Sequence, residues 1–575
     1  MRILMKTMNI NKLSAIAIVF FFTLFSSCSV IEDLEYDVVQ NPLQMHGGDV
    51  TLQINGKFIE KGLNAKAVAE VTPILFCADG NEVAFQTEIF QGSKAAGNGK
   101  VVPPEGMAFN YSSTVPFQKC MSEGEVKVRI VVTKGGEQAI EPITTDKIAD
   151  ATITTPLLLD LDNHTIYTKE CNFKRVNSFT KTATINFSKG KHNISSKEMR
   201  DKDVKDLFEF ISNSMKEGSR TEVKSIEITS FASPEGEIDL NTDLALDRGN
   251  SAMKFLISKA RRMKFDAGKE KTFYNVSPKG EDWAGFKDEV SKTDNEDKEL
   301  ILRVLQMTSD LNKREQEIRN MAKTYKFLEK QVLPQLRRAT IIVNYDEVGY
   351  SDEELKNLIA TNPDTLNVEE ILQASINEED LNTKLKNYNE AERLFSNDWR
   401  IINNKGYVLY MMGDVDGAGQ SFDKALAITD NGTVTNNVAA VKHRQAGKSN
   451  DDIKAMFEGS NTPESKYNLG LVYIEEGKYE EAITSMMDNK SFNLALANLL
   501  AEHNDVAEDV LDDVNNDAAN SSYLKAIIGS RTGNIEMVTE NLKLAFDKDP
   551  SLKDKAKKDR EFIKFFENAD FLAIF

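Results

Sequence analysis

The chain has 575 residues, 41% hydrophobic and 28% charged, enough for several domains that each bury a core of their own. Its formal charge of -19 leaves no overall basic surface to hold phosphates, which excludes nucleic acid as a partner. Five scattered His residues and four Cys without a paired-Cys motif give no support for a zinc or iron site, and no metal or cofactor is expected.

Residues 1–27 read as a targeting segment. Arg2, Lys6 and Lys12 precede the apolar run Leu13 to Phe25, too short for a comfortable membrane span but fitting a secretory signal peptide. Ser26 and Ser27 then precede Cys28, an arrangement that resembles the lipobox of bacterial lipoproteins, in which the Cys thiol is diacylated and becomes the first residue. The resemblance implies lipidation at Cys28 and anchoring in the outer membrane, on its periplasmic or cell-surface face, without a transmembrane helix. The acidic stretch Glu32, Asp33, Glu35 and Asp37 resembles the export signal of Bacteroidetes lipoproteins or serves as a solvated tether, and residues 28–47 are assigned as that tether. In an exported, oxidising location Cys77 and Cys120, which fall in one domain, form the candidate disulfide and leave Cys171 over.

From 48 to 154, short alternating or apolar runs recur between Gly, Asn and Pro punctuation. Val50-Thr-Leu-Gln-Ile-Asn, Val83-Ala-Phe-Gln-Thr-Glu-Ile-Phe and Val126-Lys-Val-Arg-Ile-Val-Val are examples, and even spacing of such strands predicts an immunoglobulin-like β-sandwich.

From 167 to 346 the order is strand (Thr182 to Phe187), amphipathic helix (Val204 to Met215), strand (Ser225 to Thr229), helix (Asp239 to Arg261) and final strand (Arg338 to Asn344). The motif at the second strand's end, Ala232-Ser-Pro-Glu-Gly236 followed by Asn241-Thr-Asp-Leu-Ala-Leu-Asp-Arg248-Gly, resembles the signature of the OmpA-like domain, a βαβα-β module that holds peptidoglycan. In that family a turn carboxylate and the later Arg grip the two charged ends of diaminopimelate. Here Arg248 is present, but Ser233 stands where the Asp belongs, and Glu235 is two residues away across Pro234. Ser233, Glu235, Gly236, Asn241 and Arg248 therefore form either a peptidoglycan site or a structural turn. A helical insertion is expected over 265–337, with helices at Asp297 to Met307 and Ile318 to Val332, and a helical connector over 351–378.

From 379 to 575 a repeat near 34 residues runs to the C-terminus. Gly406, Gly413, Ala418, Phe422 and Ala425 take the spacing of a tetratricopeptide repeat, which Gly470, Tyr473, Gly477 and Ala482 restart, followed by Ala526, Gly533, Leu542, Ala545 and Pro550. Such α-solenoids bind segments of other proteins in a concave groove. Asn403, Tyr407, Asn436, Lys466 and Asn468 are its candidate lining, being polar or amphipathic where packing alone would favour apolar residues.

The whole is a multidomain α+β chain whose order of parts resembles outer-membrane lipoproteins of Bacteroidetes. The function it implies is a non-enzymatic scaffold that binds envelope proteins through its repeats, in secretion or outer-membrane assembly. A peptidoglycan-tethering lipoprotein is the alternative. An enzyme acting on envelope glycans is the third option, with no catalytic frame in the sequence to support it.

Overall fold

Strict alternation builds the first domain. Along Asp49–Phe58 every second residue is buried, with Val50, Leu52 and Phe58 fully so, as a strand with one face on a core requires. This strand pairs antiparallel with Met107–Pro116 and, along its other edge, with Leu34–Val38 and Leu43–His46. A second sheet centres on Ala67–Cys77, flanked by Gly124–Lys134 and Glu88–Gly92. Leu52, Leu75 and Val126 fill one part of the core, and Phe58, Phe90 and Val132 another. Each such side chain contributes about 1.5–3 kcal/mol by leaving water. Cys77 and Cys120 are disulfide-bonded, with Cα atoms 5.5 Å apart.

The computed structural model describes residues 31, 34–514 and 518–575, so the targeting segment and Cys28 lie outside the described residues. The chain divides into two units: Met1–Glu170 with Asp380–Phe575, and Cys171–Glu379. Among the described residues no helix is long and apolar enough to cross a membrane.

The tether expected over 28–47 is corrected from residue 34 onward, because Leu34–Val38 and Leu43–His46 are strands of the sandwich. Leu34, Tyr36 and Val38 alternate with Glu35 and Asp37, so the apolar members turn inward while the acids stay exposed.

The first unit continues in the C-terminal helices, which stack as antiparallel hairpins. Trp399–Met411 pairs with Val415–Leu426, Gly432–Ala446 with Asp451–Ser460, Pro463–Glu475 with Tyr479–Met486, Phe492–Leu500 with Asn504–Val514, and Ala519–Thr532 with Ile535–Lys548. Small residues allow each pair to close: a β-carbon on Gly406 would lie 2.7 Å from the Phe422 ring. The sandwich meets this solenoid at a hairpin tip and again through Glu123 with Lys558, 3.1 Å apart. The Gly47 N–H donates to the Tyr479 hydroxyl at 3.1 Å, and His46 stacks edge-on against the same ring.

The second unit is a four-stranded mixed sheet ordered Val176–Asn186, Arg338–Val348, Thr221–Ala232, Tyr274–Glu281, with the last pair parallel. Lys202–Ser214 and Ile238–Met263 cover it through Leu207, Ile211 and Leu256 on Ile185, Ile228 and Ile341. The insertion expected over 265–337 is shorter, since Tyr274–Glu281 is an edge strand of the sheet. Its sequence, YNVSPKGE, hides the strand because an edge tolerates Pro and polar residues. The inserted helices run from Trp283 to Leu336 around their own core of Phe286, Ile301, Ile318, Leu328 and Leu336. Asp352–Thr361 and Val368–Ile376 end the unit, each opened by a capping box, Ser351 with Glu354 and Asn367 with Glu370.

Candidate functional site: an asparagine ladder in the solenoid

Asparagine is a poor helix former, because its amide competes for backbone hydrogen bonds. Yet the sixth residue of three successive inner helices is Asn404, Asn437 and Asn468, all fully buried. Buried amides need partners. They find them in residues 160–169, a strap that turns once at Leu161–Asn163 and runs on without helix from His164, between the sandwich and the second unit in sequence. Asn468 accepts from the Thr165 N–H at 2.9 Å and donates to the Thr165 carbonyl at 2.8 Å. Asn437 does the same for Tyr167 at 3.0 and 2.7 Å, and Asn404 for Lys169 at 2.7 and 2.9 Å. Asn493 repeats the grip on Asp160 at 3.0 and 2.9 Å. Each side-chain amide offers the donor and acceptor that a neighbouring β-strand would offer. Alternate residues of an extended chain share a face, so positions 165, 167 and 169 meet one hairpin after another.

The candidate groove residues separate here. Asn403 and Asn436 donate to the Tyr167 and Thr165 carbonyls at 2.9 and 3.0 Å, and their own oxygens accept from Asn437 and Asn468, both at 2.9 Å. The ladder is thereby cross-linked from repeat to repeat. Tyr407 instead packs against the hairpin core, and Lys466 is exposed. The groove as the structure presents it is filled by the chain's own strap. Asn404, Asn437 and Asn493 were not among the candidates, although the doublets Asn403-Asn404 and Asn436-Asn437, one repeat apart, were a signal for the first two.

On its other face the strap buries Ile166 among Ile402, Val438 and Val472, and it buries His164. His164 Nδ1 lies 2.5 Å from the Leu161 carbonyl, which can only accept, so that nitrogen carries the proton. His164 Nε2 then accepts from His443 Nδ1 at 3.0 Å, and His443 Nε2 lies 3.1 Å from Glu475. Burial first, and the neighbouring His443 second, push His164 down to about 3. Burial also raises Glu475, but His443 and Ser449 outweigh it and hold the carboxyl below its ordinary range.

In the second unit the structure pairs Ser233 with Glu235 and commits Gly236, Asn241 and Arg248 to partners outside the motif. Burial raises the Glu235 carboxyl, yet the Ser233 hydroxyl, Lys189 and Arg337 together hold it below its ordinary value. Ser233 donates to Glu235 at 2.7 Å, Arg337 donates from two nitrogens at 2.9 and 2.6 Å, and Lys189 lies 3.0 Å from the second oxygen. Arg248 is 1% exposed and donates to the carbonyls of Phe231, Lys191 and Ser188. Burial lowers it to about 10. Asn241 donates to Glu281, and the Gly236 N–H donates to Glu315 from the inserted helices at 2.7 Å. The fork that would meet a ligand carboxylate is thus spent on main chain, and the insertion lies over the turn. Arg337 and Lys189 were missed because they come from outside the motif.

A tetratricopeptide-repeat family model matches residues 463–488. A search of curated proteins finds no match. Among solved structures, a tetratricopeptide repeat protein from Parabacteroides merdae is 14% identical, over 43% of this chain and 98% of its own, with a TM-score of 0.28. YrrB, described as a repeat protein with an unusual peptide-binding site, is 19% identical over 35% of this chain and 94% of its own, TM-score 0.20. PilW, a type IV pilus biogenesis factor, is 15% identical over 34% and 93%, TM-score 0.26.

Proposed function

We propose that this protein is a non-enzymatic envelope scaffold whose repeat domain holds extended polypeptide. The observation that carries it is the ladder: four asparagines each take both main-chain groups of one residue, which is recognition of a peptide backbone and of nothing else. The rest is read from the sequence. The signal segment and Cys28 support an outer-membrane lipoprotein. The paired sheets support an immunoglobulin-like sandwich, and the strand order with its turn motif supports an OmpA-like domain. Secretion or outer-membrane assembly is the process proposed for such a scaffold. The engagement of Glu235 with Arg337, and of Arg248 with carbonyls, favours a structural turn over a peptidoglycan grip.

The experiment is co-purification of the tagged full chain from detergent-solubilised membranes, beside Cys28→Ala and the pair Asn403→Ala with Asn436→Ala. Envelope proteins should accompany the wild type, be depleted when the asparagines are removed, and be lost from the membrane fraction with Cys28→Ala. A ladder variant that retains every partner would refute the scaffold role of the groove.

A further inference from the structure

We propose that residues 160–169 are a displaceable self-ligand, and that the groove takes an extended segment of a partner protein in the same register when the strap leaves. This inference rests on the scaffold function proposed above and adds how the site is regulated and what it accepts.

The clamp reads main chain. Asn404, Asn437 and Asn468 touch the N–H and C=O of residues 169, 167 and 165, so any residue except Pro satisfies them. Of the clamped side chains, Tyr167 is 48% exposed and Lys169 is exposed as well. Specific anchoring comes from the buried side chains of Ile166, between the clamped positions 165 and 167, and His164, just before them. A strap with so few side-chain anchors is an interchangeable occupant. The hairpins also bury side chains of their own against one another, as Ala418, Phe422 and Ala425 do, and the strap adds Ile166 to that core. The partner chemistry follows: a segment that is extended over the stretch matching 164–169, with no Pro at the positions matching 160, 165, 167 and 169 and an apolar β-branched residue between those matching 165 and 167. Because the strap belongs to the same chain as its groove, its binding is intramolecular and outcompetes a free segment of equal intrinsic affinity. A free segment therefore enters only when the strap is weakened or when the partner brings further contacts.

Two measurements on the full chain test this. Native-state hydrogen exchange should show the amides of Thr165, Tyr167 and Lys169 exchanging through an opening at least ten times more frequent than that of Asn437 and Val438 within the inner helix. Fluorescence polarisation with a labelled peptide of residues 159–169, LDLDNHTIYTK, should show binding to Ile166→Asp at least tenfold tighter than to the wild type, with the gain removed by adding Asn437→Ala. Circular dichroism checks that the variants stay folded, and Ile166→Ala replaces Ile166→Asp if it does not. Strap amides that exchange only with the helix amides overturn the proposal. So does equal peptide binding by wild type and loosened variant, which would mean an open groove and leave the scaffold function standing. If the strap opens and the peptide never binds, the groove is a closed self-clamp, and the scaffold function falls with the proposal.

Discussion

Asn437 and Tyr167 stand 270 positions apart, and one side-chain amide closes both main-chain groups of the tyrosine, at 3.0 and 2.7 Å. Replacing Asn437 with Ala leaves the covered Tyr167 N–H unpaired, at about 1–3 kcal/mol if water does not reach it, while the carbonyl keeps the Asn403 amide. Asn437→Asp keeps an acceptor for the N–H but sets a carboxylate against the carbonyl, and it is expected to cost at least as much. Urea unfolding of the full chain, followed by tryptophan fluorescence and circular dichroism, reports the loss. An unchanged midpoint in Asn437→Ala would show that the clamp contributes nothing.

Acid should loosen the strap. His164 titrates near 3 when seated and near its ordinary value of 6.5 when released, so the released form binds the proton over the interval between them. Stability from this contact is complete above about 6.5 and declines as pH falls towards 3. The groups facing the ring are His443, the Leu161 carbonyl, and Arg444, itself paired with Asp162 at 2.6 Å, and Glu475 stands behind His443. Protonated His164 would present a hydrogen to the His443 hydrogen. Stability measured at pH 7.5 and pH 5 should fall more in the wild type than in His164→Gln; identical slopes would remove His164 from the account.

The sandwich and the solenoid should uncouple when Gly47 is changed. Its φ of +59° is one that other residues adopt at a cost, and a β-carbon there would lie 2.9 Å from the backbone of Glu475, Glu476 and Gly477. Gly47→Ala is expected to cost about 1–3 kcal/mol. Calorimetry should show the first unit's transition broadening or splitting, whereas Tyr479→Phe, which removes only the acceptor of one hydrogen bond, should shift it less.

Arg337→Ala should destabilise the second unit by about 3–5 kcal/mol, because Glu235, with a side chain 4% exposed, keeps its charge and loses its fork. Adding Glu235→Gln should recover part of that loss. A double-mutant cycle measures the coupling directly, and a coupling near zero would contradict the buried pair.

The repeat frame was legible because Gly406 and Gly470 sit where helices touch, a requirement that survives in any single sequence. Asn403, Asn436 and Asn468 were legible as polar residues in a place that packing would make apolar. What fills the groove was not, since a strap held by its backbone needs no side-chain signature, and only Ile166 and His164 carry one. Its position also joins the solenoid to the sandwich in one unit, so a chain ended near residue 378, as the repeat boundary alone would suggest, cuts a unit in two. The turn motif leaves a peptidoglycan grip and a structural turn both open in sequence, because Arg337, which engages Glu235, arrives from the far end of an insertion.

The strap is made long before its groove. Residues 160–169 leave the ribosome ahead of Cys171–Glu379, and every helix that grips them comes later still. The intervening unit ties its own two ends together through Cys171 with Gln373 and Asn172 with Glu369, and so is equipped to fold as a guest inside the host. The host closes last, over a loop of more than two hundred residues, and such late, distant pairing is slow. Until then the newborn groove is open, which makes the interval between synthesis and closure the time at which a foreign strand competes on the best terms.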